Sequence, residues 1–450
     1  MSAEAALSEA GDKPRAPGRA GLLSLLGLMY ASACGGPYGT EDYVAKVGPG
    51  LFLLLLVTTP WIWGLPTAFA TAELSTRRSV AGGHYRWACE YLGPFWGFQE
   101  GVWNLMSSFL DNALYPVLFA RAVTHVMGVS SPLVEWAMAA AFILILTYLN
   151  YRGIQIAGAT AVALNVFLIL PLVWLVASAA GQVRFSPFVP FRAAGEDTLA
   201  QFGLCLALAM WFYSGYYEVS AAAEEIENPA RNIPLALFVL TPIVIASYAL
   251  PTVAGLVATD DWAQWTSGQF ATIGRTLSGP TLGYWLFLGG VASQAVIFLS
   301  YLVWWSRLVW AMAKDGNLPA FLTARHPKYG TPHRVLLVYA VIYIAMAALP
   351  FDDLLVADIW LAGASAMVLQ ASLIRSRRTD AGEAGFRVPG GRGGLWLNAL
   401  LPALTWVLVI VLTARDHVVL GSAAILAGPV LYGLTQRGRR RARQRRQGAS

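Results

Sequence analysis

The sequence is poor in charge. Only 12% of its 450 residues are Asp, Glu, Lys or Arg, about half the fraction that is usual in a soluble domain. By contrast, 57% of the residues are hydrophobic, and they fall in uncharged runs such as Leu51–Thr71 and Val335–Leu349. Because about 20 apolar residues suffice to cross the hydrocarbon core of a membrane, and no soluble fold needs a dozen such runs, the sequence predicts an all-α integral membrane protein.

Cysteine, histidine and the common catalytic motifs are scarce or missing. The chain has three cysteines and five histidines, and none stands at a spacing typical of a metal site. It contains no Gly-x-Ser-x-Gly motif and no Gly-x-x-x-x-Gly-Lys phosphate loop. We therefore expect neither an enzyme nor an ATP-driven pump, and no metal or cofactor. Cys34, Cys89 and Cys205 imply no disulfide framework.

The formal net charge is +6, and many basic residues lie at the end of the chain, in a tail at 436–450. A polybasic segment directly after an apolar run is typical of a cytoplasmic anchor that contacts anionic lipid. We expect contact with membrane lipid here and no nucleic-acid binding. The segment 1–20 lacks a signal-peptide cleavage site and is interpreted as a cytoplasmic tail.

Twelve apolar runs predict twelve transmembrane helices. Their approximate bounds are 21–46, 50–73, 94–120, 133–150, 158–180, 199–224, 235–258, 281–312, 333–350, 354–374, 395–414 and 417–434. Of the 31 Lys and Arg residues, 25 fall on the side that holds both chain ends and six on the other. Because cytoplasmic loops carry the excess of these residues, both termini are predicted to be cytoplasmic, in a plasma or inner membrane.

Two predicted spans are interrupted at matching places. The first contains three glycines and a proline within Cys34–Gly39, and the sixth is broken at Ser214–Glu218. The breaks lie five spans apart, and because five is odd, the second five-span unit must be inverted. Such paired breaks point to a transporter binding site, since unwound backbone is tolerated at membrane depth only where it lines protein or water. The resulting units are a tail (1–20), two repeats (21–180 and 195–375), two additional spans (394–435) and the basic tail (436–450).

Three carboxylates lie deep in the predicted spans, where each ionisable group marks a functional hypothesis. They are Glu100 and Asp111 of the third span and Glu218 beside the second break. Glu100 and Asp111 are eleven residues apart, about 20° from three full helical turns, so both belong to one polar stripe that also includes Tyr115. We predict that the stripe faces the bundle interior and that all three carboxylates are candidates for proton coupling. Glu73, which ends span 2, is expected to form an ion pair or to act as a gate.

Six short motifs along the chain match a known group of transporters. They are Gly35-Gly36-Pro37-Tyr38-Gly39-Thr40-Glu41-Asp42, Ala72-Glu73-Leu74, Ala81-Gly82-Gly83-His84-Tyr85, Ala222-Ala223-Glu224-Glu225-Ile226-Glu227-Asn228-Pro229, Asn232-Ile233-Pro234 and Ala313-Lys314-Asp315-Gly316-Asn317-Leu318-Pro319. Together they resemble the amino acid–polyamine–organocation transporter superfamily. The segments 92–98 and 111–116 resemble its polyamine-uptake branch, known from plants and protozoa. The resemblance implies a leucine-transporter-like fold, with two inverted five-span repeats plus two additional helices.

The resemblance also implies that the broken first and sixth spans contact the substrate. Trp211 matches a gating Trp of the bacterial diamine and arginine exchangers, Tyr217 occupies their acidic position, and Glu218 lies one place later. Tyr301 matches an aromatic gate position. Ordinary packing is the alternative role for each of Trp211, Tyr38, Tyr217 and Tyr301. The full set of candidate substrate contacts is Cys34, Gly35, Gly36, Pro37, Tyr38, Asp111, Tyr115, Trp211, Ser214, Gly215, Tyr217, Glu218 and Tyr301.

The sequence therefore predicts a secondary transporter that takes up polyamines with protons by alternating access. An amino acid permease or amino acid/amine exchanger of the same fold is the alternative. A channel is disfavoured because both breaks have apolar flanks, and a sensor because the chain has no sizeable soluble output domain. The sequence leaves the exact substrate, the choice between symport and exchange, and the oligomeric state open.

Overall fold

The computed structural model of the chain describes residues 22–78, 83–152, 154–194, 198–215, 227–314, 316–379 and 385–447. Regular secondary structure in these ranges is helical, and they contain no β-strand. The α-helices are α1 (Leu22–Ala33), α2 (Asp42–Val47), α3 (Pro49–Thr59), α4 (Leu65–Arg77), α5 (Gly83–Leu92), α6 (Pro94–Met127), α7 (Pro132–Tyr151), α8 (Ile154–Ala180), α9 (Thr198–Phe212), α10 (Pro229–Ala258), α11 (Gln269–Ser278), α12 (Pro280–Lys314), α13 (His333–Met346), α14 (Phe351–Thr379) and α15 (Gly391–Gln447). A π-helical turn at Pro60–Gly64 joins α3 to α4. The predicted all-α architecture is confirmed.

Proline marks the start of several helices. Pro49, Pro94, Pro132 and Pro229 stand in the first turns of α3, α6, α7 and α10. There the missing N–H of proline removes no intrahelical bond, and its fixed φ suits the helix. The predicted starts of the third and fourth spans, at 94 and 133, therefore agree with the structure.

Seven helical segments of the described chain are long and apolar enough to cross a membrane. They are Pro49–Arg77, Pro132–Tyr151, Ala163–Ala180, Arg231–Ala258, Pro280–Leu302, Phe351–Thr379 and Gly391–Ala414. Shorter apolar helices at Thr198–Phe212, His333–Met346 and His417–Gly433 coincide with further predicted spans. The first and third predicted spans are not among the seven, because α1 is interrupted after Ala33 and α6 carries the polar stripe. These helices indicate a multi-pass membrane protein.

The break in the first predicted span lies between α1 and α2. Helix α1 ends at Ala33, and helical structure resumes only at Asp42. Within the break, Gly36 and Gly39 have φ values of 75° and 84°, which a residue with a Cβ adopts only at a cost. Glycine is therefore required for the observed backbone path. In the sixth predicted span, α9 ends at Phe212, and residues 216–226 are outside the described ranges.

Helix α15 doubles back on itself. Its Trp406 lies against Gly363 of α14, and its Gly428 lies against Gln99 of α6. Both contacts lie at one level of the bundle. Glu100, the residue after Gln99, accepts a hydrogen bond from Ser365, which is two residues from Gly363. A straight helix would separate residues 406 and 428 by about 33 Å. The helical backbone of α15 must therefore reverse direction between them, and its two arms correspond to the predicted spans 395–414 and 417–434.

The two ends of the bundle differ in their charges. We call the end that holds Arg77 and Arg377 the basic end, and the end that holds Lys46 and Asp352 the far end. At the far end, the Lys46 ammonium lies 3.4 Å from Asp42 and 3.3 Å from Asp352. These side chains are partly exposed, so the pairs are screened by solvent and contribute little stability.

Glu73 is the centre of a buried ion-pair cluster at the basic end. Its carboxylate has no solvent exposure and lies 2.9 Å from Arg77 Nη2 and 2.5 Å from Arg377 Nη2. The backbone N–H of Val388 also donates to it, at 2.8 Å. The cluster connects α4, α14 and the segment that leads into α15. Glu73 is therefore ion-paired, which is one of the two roles expected for it.

Replacing Glu73 by Gln should destabilise the protein by about 3–5 kcal/mol, because the change removes the buried charge to which Arg77 and Arg377 are both bonded. The matched control is Glu90→Gln. Glu90 pairs with Arg78 at 3.1 Å, but both side chains are exposed, by 38% and 52%, and such a pair is worth about 1 kcal/mol or less. Thermal unfolding in detergent checks the difference. Equal Tm values for the two variants would contradict the structural role of the cluster.

Candidate functional site

A cavity that is partly open to solvent lies where the break after α1 faces the C-terminal end of α9. This main cavity contains about 410 Å³ of space not occupied by protein atoms, and residues of α6, α10 and α12 complete its wall. The predicted contact residues that line it are Cys34, Gly35, Gly36, Tyr38, Tyr115, Trp211, Gly215 and Tyr301. Residues from four separate parts of the sequence thus meet at one place, next to the unwound backbone.

Side chains form hydrogen bonds that stabilise the unwound backbone. Ser293 Oγ donates a hydrogen bond to the carbonyl of Gly35 at 2.6 Å, and Gln294 Nε2 donates to the carbonyl of Tyr38 at 3.4 Å. The Tyr38 hydroxyl donates to the carbonyl of Leu168 at 2.9 Å. Because buried carbonyls must find partners, these bonds allow a non-helical segment to persist inside an apolar bundle.

Aromatic rings form one wall of the main cavity. Tyr115 stacks on Trp211 with ring centroids 5.6 Å apart, and it also contacts Tyr301 at 5.9 Å. Tyr301 in turn stacks on Trp305 at 4.4 Å. The faces of such rings attract cations, so this aromatic wall can line a site for an ammonium group as well as seal it from water.

Asp111 lies directly behind the aromatic wall. Its carboxylate accepts hydrogen bonds from the Trp211 indole N–H and, at 3.3 Å, from the Tyr115 hydroxyl. The residue is buried. A carboxylate inside a membrane bundle is expensive and attracts positive charge, so Asp111 places negative potential at the wall of the main cavity.

The comparison with known proteins decides the family. Residues 21–430 match the family model described as amino acid permease. The match includes both predicted breaks and all of the residues that line the main cavity. The chain belongs to the amino acid permease family. It is therefore a membrane transporter and not an enzyme, as the sequence predicts.

Relatives of this permease include proteins named as polyamine transporters. A probable polyamine transporter of Arabidopsis thaliana is 32% identical over 417 residues, which are 92% of this chain and 83% of that protein. Polyamine transporter PUT1 of Oryza sativa subsp. japonica is 31% identical over 427 residues, 94% of this chain and 79% of that protein. Polyamine transporter RMV1 of Arabidopsis thaliana is 32% identical over 415 residues, 91% of this chain and 84% of that protein. The resemblance to the amino acid–polyamine–organocation superfamily is thus confirmed.

Among the described residues of the permease, three of the predicted contacts do not themselves line the main cavity: Asp111, Ser214 and Pro37. The Ser214 hydroxyl accepts from Trp63 Nε1 at 3.0 Å and donates to the Met210 carbonyl at 2.7 Å, so it joins α9 to the π-helical turn. Pro37 bends the backbone of the break and is not among the lining residues. Tyr217 and Glu218 lie outside the described residues.

Glu100 belongs to the same helical face as Asp111 but to another level of the bundle. Eleven residues of helix place it about 16 Å from Asp111, toward the basic end. It is buried, accepts from Ser365 Oγ at 2.6 Å, and lies 3.6 Å from His84 Nδ1. The polar stripe of α6 therefore faces the interior as predicted, but its Glu100 end packs on α14 and does not border the main cavity.

Sequence reasoning missed several buried polar residues near the site. Tyr248 of α10 and Ser293 and Gln294 of α12 line the main cavity. Asp358 of α14 is buried and accepts from Ser107 Oγ at 2.5 Å. The signal for Ser293 and Gln294 was a polar pair in the middle of an apolar run. The signal for Asp358 was an acidic residue inside the predicted span 354–374.

Replacing Gly36 by Ala should abolish or strongly reduce transport while leaving membrane insertion intact. Its φ of 75° strains any Cβ, and the added carbon would stand 3.0 Å from the Leu172 side chain and 3.3 Å from the Tyr38 ring. The control is Gly128→Ala at the end of α6. Gly128 has a similar φ of 65° but no atom within 4 Å of its Cβ position, so backbone strain is matched without crowding of the cavity. If the Gly36 and Gly128 variants took up substrate equally well, the break would be a helix kink without a role in transport.

Proposed function

We propose that the protein is a secondary active transporter that takes up polyamines, coupled to protons, by alternating access. The observation that carries the proposal is the position of Asp111, a buried carboxylate behind the aromatic wall of the main cavity. Polyamines carry two or more ammonium groups and no carboxylate. Their binding therefore needs anionic and aromatic contacts, and these are the contacts that the wall offers.

The names of the relatives support the same substrate class. Three relatives at 31–32% identity are named as polyamine or probable polyamine transporters, and each alignment covers more than nine-tenths of this chain. Among the described residues that line the main cavity there is no Lys or Arg to repel a cation. Both observations favour a polyamine over an anionic substrate.

We further propose the twelve-span organisation, with inverted repeats at 21–180 and 195–375 and an additional pair of spans at 394–435. In this organisation the break after Ala33 and the end of α9 at Phe212 would stand at corresponding positions of the two repeats; the support is that both border one cavity. Such a site between inverted repeats suits alternating access, in which one repeat rocks against the other. The two arms of α15 correspond to the additional pair.

We propose that the protein lies in a plasma or inner membrane and that the basic end of the bundle faces the cytoplasm. The support is the excess of Lys and Arg on the side that holds both tails, 1–20 and 436–450. The basic tail would then contact anionic lipid of the cytoplasmic leaflet.

Glu100, Asp111 and Glu218 remain the candidates for proton coupling. In the described part of the chain, Glu100 is buried and its Oε2 atom has no hydrogen-bond partner. An oxygen in this state can accept a proton without breaking an existing bond. Asp111 couples more directly to substrate, because its carboxylate bonds the Trp211 and Tyr115 side chains of the cavity wall.

Asp111→Asn should weaken polyamine binding at least about tenfold, because losing one partner of a desolvated charge pair costs about 2–5 kcal/mol. Glu218→Gln is expected to act in the same direction. The measurement is equilibrium binding of putrescine and spermidine to purified protein at fixed pH, since proton coupling would confound uptake rates. Asp260→Asn, the same change at an exposed residue, is the control.

Normal polyamine binding by both the Asp111 and the Glu218 variants would contradict this assignment of the site. Binding of an amino acid, and of no polyamine, by the wild type would replace the proposal by its alternative, an amino acid permease or exchanger of the same fold.

The proposed orientation predicts which loops react with a membrane-impermeant thiol reagent in intact cells. Gln264 lies in the short turn between α10 and α11, on the side with few basic residues, so Gln264→Cys should be labelled. Ser450→Cys, at the end of the basic tail, should be labelled only after the cells are permeabilised. The reverse pattern would overturn the proposed topology.

A further inference from the structure

A second cavity continues the main cavity toward the far end. It contains about 340 Å³ of space not occupied by protein atoms. Tyr38, Leu118 and Gln294 line both cavities. Beyond these shared residues, the wall of the second cavity includes Glu41 and Ala122. The two cavities are therefore neighbours that share three lining side chains.

Gln294 has an unused acceptor between the two cavities. The residue is 5% exposed, and its Nε2 atom is occupied by the Tyr38 carbonyl. Its Oε1 atom has no hydrogen-bond partner among the described residues. A buried acceptor without a partner is costly, and an N–H donor of a bound molecule would satisfy it.

Glu41 supplies a carboxylate to the second cavity. The residue is 3% exposed, and the backbone N–H groups of Gly268 and Phe270 donate to it at 3.1 and 3.5 Å. A carboxylate offers about four acceptor sites, so these two bonds fix its position and leave capacity for a ligand. No Lys or Arg is among the described residues that line this cavity.

Helix α6 provides an estimate of the distance between the level of Asp111 and the level of Glu41. Asp111, Tyr115, Leu118 and Ala122 follow one another at spacings of four, three and four, so they lie on one face of the helix. Asp111 borders the main cavity through Trp211 and Tyr115, whereas Ala122 lines the second cavity with Glu41. Eleven residues of helix rise by about 16 Å. Because the ligand meets the aromatic wall in front of Asp111, the relevant interval is the seven residues from Tyr115 to Ala122, which rise by about 10 Å.

We propose that the two cavities form one elongated site for a linear polyamine with well-separated charges. One terminal ammonium binds at the Asp111 end, the other binds Glu41, and a central amine donates to Gln294 Oε1. This inference rests on the proposed function and makes it more specific. From ordinary bond lengths and angles, the terminal nitrogens of extended spermidine are about 11 Å apart and those of putrescine only about 6 Å. Spermidine is therefore long enough to extend from the aromatic wall in front of Asp111 to Glu41, and putrescine is not.

The test compares three ligands by equilibrium binding to the purified full-length protein at fixed pH. They are putrescine, spermidine, and 1,8-diaminooctane, which has the length of spermidine without its central amine. Glu41→Gln should weaken spermidine and 1,8-diaminooctane at least about tenfold and change putrescine by no more than about twofold. Gln294→Leu should weaken spermidine more than 1,8-diaminooctane. Asp42→Asn, the same loss of charge one residue away and outside both cavities, should leave all three unchanged.

The outcomes separate this inference from the proposed function. If the wild type binds none of the three ligands, the polyamine function itself fails. If the wild type binds them but Glu41→Gln leaves spermidine unchanged, the elongated site is wrong while the function stands. If Glu41→Gln weakens putrescine as much as spermidine, Glu41 acts only by holding the start of α11 in place, and the elongated site is again wrong.

Discussion

The structure depends on one constraint: backbone polar groups inside an apolar bundle have no water to bond, so an unwound segment must be satisfied by its neighbours. The segment 34–41 meets this constraint through side chains of other elements. Ser293 bonds the Gly35 carbonyl, Gln294 the Tyr38 carbonyl, and Ser267 the Gly39 carbonyl at 2.8 Å. The break is therefore fixed by tertiary contacts, and the glycines only permit it. The cavities lie beside this segment because helical packing is interrupted there.

Buried charged side chains also depend on hydrogen-bond and ion-pair partners. At the basic end, the Glu73 carboxylate is paired with two arginines, and the cluster connects three elements. Deeper in the bundle, Asp111 accepts hydrogen bonds from an indole and a phenol, which orient the carboxylate behind the aromatic wall of the main cavity. The first carboxylate joins elements of the fold, whereas the position of the second suits the proposed binding of a cation.

Much of the fold follows from local sequence, and less of the site does. Glycine and proline in 35–39 predicted the break in span 1, and the eleven-residue spacing of Glu100 and Asp111 predicted the interior face of α6. The role of Ser214 could not be read from the sequence, because its partner Trp63 is 151 residues away. The same holds for Gln294, because its proposed role depends on its position between two cavities. Residues that act through distant partners become visible only once the helices are packed.

The claim that the main cavity binds substrate can be tested directly at Cys34, which lines it. In a protein whose Cys89 and Cys205 are replaced by Ala, Cys34 is the single thiol, and its rate of reaction with a small thiol reagent can be followed in proteoliposomes. The account predicts that spermidine slows this reaction, with half-maximal protection at the concentration that half-saturates binding. An unchanged reaction rate of Cys34 at saturating spermidine would contradict it.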